Sequence, residues 1–240
     1  MSLLAVEGVS KRFRGLQAVK SVSFAVPDGG IVALIGPNGA GKTTVFNMVA
    51  GVFPPDEGTI SLAGASIGGL RADRVCRAGI GRTFQLVRPF SELTVEDNVV
   101  VGALNRSANV ESARVEARAI LERLDLAAKA EMSAASLTLP DRKRLEVARA
   151  LATRPRLLML DESMAGLRPT ECDQMVAFLR DINATLGVTI LLIEHVMRAV
   201  MALARHVVVL HHGEKIAEGP PEAVVRDPAV LDVYLGEEAL

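Results

Sequence analysis

The stretch Ile31-Val32-Ala33-Leu34-Ile35, followed by Gly36-Pro37-Asn38-Gly39-Ala40-Gly41-Lys42-Thr43, decides the architecture. A short apolar run ending in glycine has the length of a strand buried on both faces. The eight residues after it match G-x-x-x-x-G-K-[ST], and Lys42 to Ala50 reads as the helix this motif requires behind it. Glycines let the backbone curl until its N–H groups point inward at phosphate oxygens, and the positive end of the following helix faces the same anion. Lys42 is placed to reach the β- and γ-phosphates of a nucleotide and Thr43 to ligate Mg²⁺, with Thr44 following in the same run.

Outward from this loop the pattern is that of an α/β protein. Leu3 to Val9 and Val19 to Val26 carry β-branched residues and are punctuated by Arg14-Gly15 and Pro27-Asp28-Gly29-Gly30, which predicts a β-layer at the N-terminus. Thr59 to Ala63 is a further strand. From Thr94 to Thr153 the pattern turns helical: Val110, Ala113, Ala117, Ile120 and Leu124 recur every three or four residues, between charged Glu111, Arg114, Glu116, Arg118, Glu122 and Arg123. Strands over Arg156–Leu160, Val188–Ile193 and Val207–Leu210 then alternate with helices over Thr170–Leu186 and Val196–Ala204, the signature of a parallel sheet. The expectation is one domain over 1–240, with a helical subdomain inserted near 86–150.

A second motif is Leu157-Leu158-Met159-Leu160-Asp161-Glu162, a buried strand delivering two carboxylates to its exit. Phosphoryl transfer needs a metal held at the phosphates and a group that orients or deprotonates water. Asp161 suits the metal, through a bound water, and Glu162 suits the base.

Bulk properties narrow the rest. With 27 basic and 28 acidic residues the net charge is −1, so no global field attracts nucleic acid. Mean hydropathy is +0.30, yet no apolar run approaches the 18 or so residues of a membrane span. Cys76 and Cys172 lack metal spacing and read as free thiols in a reducing compartment. Met1-Ser2-Leu3-Leu4 is unlike the start of a signal peptide, which predicts a cytosolic protein.

At this point the chain resembles the ABC ATPases over essentially its whole length. Gln85, in Gly81-Arg82-Thr83-Phe84-Gln85, matches the family glutamine that touches Mg²⁺ and the attacking water. Arg142 to Leu151 resembles the helix after the family signature, and Ala165-Gly166-Leu167-Arg168-Pro169-Thr170 lies where the dimer-contact loop belongs. His195, in Ile193-Glu194-His195, matches the switch histidine, and Phe13 stands where an aromatic ring stacks on adenine. The remaining histidines, His206, His211 and His212, read as strand-end residues. The resemblance implies ATP and Mg²⁺ as ligands, Glu162, His195 and Gln85 as catalytic residues, and Gly36 through Thr44 as the nucleotide loop. Gly79 to Val99, Ala165 to Glu171 and the C-terminal segment ending in VYLGEE are closest to the ATPase subunits of branched-chain amino acid importers. By this likeness the chain works at the cytoplasmic face of the inner membrane. Its partners there are a second ATPase subunit, two permease subunits and, indirectly, a substrate-binding protein. Exporters of lipid or lipopolysaccharide have ATPases of similar length and a similar ending. Non-transport ABC proteins usually add coiled-coil arms, zinc cysteines or a second cassette, which this sequence lacks.

Three departures stand out. The signature, ordinarily LSGGQ, is here Leu137-Thr138-Leu139-Pro140-Asp141; Arg168 replaces the usual Asp or Asn of the contact loop; Val196 follows the switch histidine where Asp is frequent. Thr138 keeps a hydroxyl for the γ-phosphate of a partner subunit's ATP, Pro140 has no N–H to offer, and Asp141 adds charge that repels an anion. Thr138-x-x-Asp141 also resembles a helix capping box, which needs no phosphate. The expected consequence is an asymmetric pair of non-identical ATPases. Apolar Leu86, Val87, Pro89, Phe90 and Leu93, just past Gln85, are expected to face a partner if exposed.

Overall fold

The computed structural model describes residues 2–84 and 89–237, with side chains up to residue 234. In chain order the strands and helices begin with β1 (Ser2–Phe13), β2 (Leu16–Pro27), β3 (Ile31–Ile35), α1 (Lys42–Val49), β4 (Glu57–Leu62), β5 (Ala65–Ser66) and α2 (Ala72–Ala78). They continue with β6 (Ile80–Arg82), α3 (Val95–Ala103), α4 (Val110–Arg123), α5 (Leu139–Ala152), β7 (Leu157–Asp161) and α6 (Pro169–Leu186). The chain closes with β8 (Thr189–Ile193), α7 (Met197–Leu203), β9 (His206–His211), β10 (Glu214–Gly219), α8 (Pro221–Val224) and α9 (Pro228–Glu237). Two compact units result, one from 2–78 with 189–237 and the other Gly79–Val188.

In the first unit β1 and β2 form a hairpin from Leu4↔Val26 to Phe13↔Leu16. Its two-residue turn places Arg14 at φ 46° and Gly15 at φ 92°, both left-handed as the twist of a tight hairpin demands. Antiparallel β4 and then β5 extend this layer in the order β2-β1-β4-β5. A second layer has β3 flanked in parallel by β8 and β9, with Ile31 opposite Ile190 and Val32 opposite His206. Every residue of β3 and β8 is buried, which is why both read as unbroken apolar runs. Hairpin partner β10 closes the β9 edge in the antiparallel sense. The α/β class and the antiparallel N-terminal layer are as the sequence predicts.

In the second unit β6 pairs in parallel with β7, Ile80 opposite Leu157 and Arg82 opposite Met159. Helix α3 starts at Thr94, whose hydroxyl accepts from Asp97 N–H at 3.0 Å. Buried Glu96 is answered by Arg114 at 2.9 Å and Arg118 at 3.1 Å. Helix α4 opens with a reciprocal cap between Asn109 and Ser112. Its buried stripe is Ala113, Ala117, Leu121 and Leu124. Val110, expected in that stripe, is exposed: it is the first residue of the helix, and the i, i+4 row starting at Ala113 sets the face instead. Gly187, in the left-handed region at φ 65°, ends α6. Neither Cys76 nor Cys172 forms a disulfide. Among the described residues no helix is long and apolar enough to cross a membrane.

Candidate functional site

In the first unit, the loop between β3 and α1 is shaped by close approach. Gly36, at φ 142°, has no room for a side chain: a Cβ there would lie 2.1 Å from the Leu210 carbonyl oxygen. Gly41, at φ 100°, would meet the Ala18 carbonyl at 2.6 Å. From behind, Gly213 N–H, in the β9–β10 turn, donates to Ala40 O at 3.1 Å. Lys42 is buried, its ammonium donating to Gly36 O at 2.6 Å and Pro37 O at 2.8 Å. A buried cation held on the carbonyls of a glycine loop, at the N-terminus of a helix, is a donor set that fits a phosphate chain. Asn38, Gly39 and Thr43 are exposed, while Pro37 and Ala40 are buried and Thr44 half-buried. Phe13, at the end of β1, is 41% exposed and meets Phe53 edge-to-face at 5.3 Å, with the Lys11 ammonium 5.8 Å from its ring centre. An aromatic ring so exposed leaves surface for a stacked base. His195 is exposed in the segment between β8 and α7. His206 pairs with Glu218 at 2.9 Å, and His211 lies against His212 at the β9–β10 turn, in keeping with strand-end roles.

The second unit carries the two carboxylates. Asp161 ends β7 with its side chain 3% exposed, and Arg82 donates to it at 3.0 Å. Burial pushes its carboxyl above the usual range, against the pull of the Arg82 guanidinium. The Thr83 hydroxyl accepts from Asp161 N–H at 3.1 Å, so the end of β6 is fastened to the end of β7 twice over. Glu162 follows at φ 49°, a left-handed conformation unusual for a residue with a Cβ. Its carbonyl accepts from Lys143 Nζ at 2.7 Å and from Ala165 N–H at 3.2 Å. Gln85, expected to follow Thr83 as the metal- and water-contacting glutamine, lies outside the described residues, as do Leu86 and Val87.

The signature departs from a capping box in an informative way. Thr138 caps α5 and Pro140 lies in the first turn, as expected, but the hydroxyl accepts no backbone N–H. It donates instead to Asp141 Oδ2 at 2.7 Å, and Lys129 Nζ reaches the same oxygen at 2.5 Å. The Asp141 carboxyl is buried, which works to raise it, but the bonds from Lys129 and Thr138 prevail and hold it below its usual range. The repulsive charge read from the sequence is therefore already neutralised by Lys129, a residue twelve positions away whose role the sequence did not suggest. Arg168, the odd residue of the contact loop, is tied to Glu171 by its own N–H at 2.9 Å and its guanidinium at 2.8 Å, and so caps α6. The sequence also gave no role to Arg82, Thr83 or Lys143. The first two adjoin Gln85 in a run quoted only for that glutamine, and Lys143 lies among other cations.

The glycine loop with its buried lysine in the first unit, and the Asp-Glu strand exit in the second, are the motifs by which the sequence resembles the ABC ATPases, and the family comparison agrees: the description "ABC transporter" matches residues 19–165. The chain belongs to this family and is an ABC ATPase. A second family description, "Branched-chain amino acid ATP-binding cassette transporter", matches residues 214–239. Among similar proteins is the high-affinity branched-chain amino acid transport ATP-binding protein BraF of Pseudomonas aeruginosa, 42% identical with 98% of each chain covered. LivG of Salmonella typhimurium, of the same description, is 43% identical with the same coverage. The lipopolysaccharide export system ATP-binding protein LptB of Acidithiobacillus ferridurans is 34% identical, again over 98% of each chain. A solved ATP-binding cassette of an ABC transporter in its ADP conformation superposes with a TM-score of 0.90, at 30% identity, over 98% of this chain and 99% of that one.

Proposed function

We propose that this chain hydrolyses ATP to power an importer of branched-chain or related amino acids. The supporting observation is the 42–43% identity, end to end, with BraF and LivG, against 34% for the lipopolysaccharide-export relative. In this reading Gly36 through Thr44 hold the phosphates, with Lys42 as the counter-charge, and Phe13 stacks on the adenine. Thr43, Gln85 and Asp161 offer the hard oxygen donors that suit Mg²⁺, Asp161 through water; the metal, when bound, neutralises charge on the phosphates. Glu162 takes the proton from the attacking water, and His195 contacts the γ-phosphate. Thr138 is the signature hydroxyl available to the ATP of a second subunit. It is engaged by Asp141, and Pro140 offers no N–H, so this signature closes a weakened site. A second, non-identical ATPase with a standard signature completes the stronger one. Two permease subunits at the cytoplasmic face of the inner membrane, and through them a substrate-binding protein, make up the rest of the assembly.

Purification from the native membrane with identification of every bound chain tests this reading. The expected result is a second ATPase of different sequence and two permease chains. Reconstituted into vesicles, the assembly should gain ATPase activity with a binding protein loaded with leucine, isoleucine or valine. Recovery with lipopolysaccharide-export components would replace the importer reading, and recovery as a pair of identical ATPases would remove the asymmetry.

A further inference from the structure

The turn that follows β7 holds Glu162 in a conformation an L-residue avoids, at φ 49°. Such a residue persists only where its surroundings over-determine it. Its carbonyl is gripped from two directions, by Ala165 N–H of the contact loop and by the ammonium of Lys143. Lys143 is 5% exposed and stands on α5, five positions beyond the Thr138 cap. An ammonium buried this deeply is costly unless well partnered. Leu139, one residue into the same helix, packs its Cδ2 3.2 Å from where a Cβ on Gly166 would lie. The signature helix, the turn carrying the base and the contact loop therefore meet at one carbonyl oxygen.

We propose that Lys143 is a positioning residue for the hydrolytic base: by fixing the Glu162 carbonyl it sets the left-handed turn from which the carboxylate projects. The inference rests on the reading of Glu162 as the base. Loss of the bond leaves the glutamate side chain chemically intact but its backbone free to relax, and small misplacements of a reacting group cost about 10²-fold in rate.

The test compares K143M, which removes the donor, and K143Q, which keeps a neutral N–H donor, in the assembled transporter. K143M should lower kcat by about 10- to 100-fold with KM and equilibrium affinity for ATP within about twofold of the parent, a split that separates positioning from binding. K143Q should recover part of the loss, and it carries the comparison if K143M does not fold. In an E162Q background K143M should cost nothing further, because two changes acting on one base are not additive. Parental kcat in a folded K143M protein, or an undiminished further loss in the E162Q background, would overturn the inference. Parental turnover in E162Q alone would instead remove the base reading, and the positioning role with it.

Discussion

Lys42 and Asp161 show how much is decided by where a single side chain is allowed to sit. Gly36 and Gly41 leave no space for a Cβ, the loop closes over the lysine, and the ammonium is buried against Gly36 O and Pro37 O. Neutral carbonyls are weaker partners for an ammonium than an anionic phosphate oxygen would be. K42A should therefore leave the fold intact and remove charge-assisted hydrogen bonds of about 1.5–3 kcal/mol each. Two such bonds amount to on the order of 10²-fold or more in affinity. Isothermal titration with Mg-ATP measures this directly, and an unchanged dissociation constant would refute the phosphate-loop assignment. Asp161 shows the complementary case: it is buried with Arg82 as counter-ion, and a cation arriving there competes with a guanidinium already in place.

At the scale of elements, α5 is where sequence and structure part most usefully. The loop-helix of Lys42 and the strand ending in Asp161 were legible because glycine, lysine and paired carboxylates at fixed spacing leave few physical alternatives. The strands β5, β6 and β10 were not: they are short or edge strands whose pairing comes from neighbours distant in sequence, and Glu214–Gly219 has no apolar run to announce it. The same holds for the signature. Thr138-x-x-Asp141 gave the cap position, while the Lys129 bond that neutralises Asp141 comes from a separate 3₁₀ turn at Ala127–Lys129 and is invisible to local spacing. A stability measurement can isolate it. Asp141 has a folded pKa below its ordinary value of 3.8. The native carboxylate is thus favoured above that value, and the gain is lost as pH falls through the folded pKa. D141N should cost on the order of 1–2 kcal/mol at pH 7, less than a fully buried pair because Lys129 is half in solvent. The deficit should close in acid, once both states bind the proton. Denaturant titrations of parent and variant at neutral and low pH check the sign; a deficit constant with pH would mean that hydrogen-bond acceptance, not charge, is what Asp141 supplies.

On the scale of the whole molecule, exposed aromatics mark a surface where a membrane subunit would dock. Aromatics make up 3% of the chain, and of its 7 phenylalanines two on either side of Gln85 lie at the surface, Phe84 at 60% and Phe90 at 45% exposure. The Phe90 backbone is held to Asn98, its N–H donating to Oδ1 at 2.9 Å and its carbonyl accepting from Nδ2 at 3.0 Å. The Arg149 guanidinium sits 4.5 Å from the ring centre. The ring is thus presented by a fixed backbone, and exposed aromatics held in place are what docking surfaces offer. Of the five apolar residues expected there, Phe90 is exposed and Pro89 and Leu93 are half-buried, while Leu86 and Val87 lie outside the described residues. A core residue replaced by aspartate would unfold the protein, whereas at Phe90 the new carboxylate would find solvent and the Arg149 guanidinium. F90D should therefore fold, keep the basal ATPase activity of the isolated chain within about twofold, and lose association with the permease, because a desolvated charge in an apolar contact costs several kcal/mol. Co-purification of the tagged variant with the permease in detergent, alongside its thermal melting curve, reads both halves. Undiminished association would place the docking surface elsewhere, and a collapsed melting temperature would make Phe90 a residue of the core.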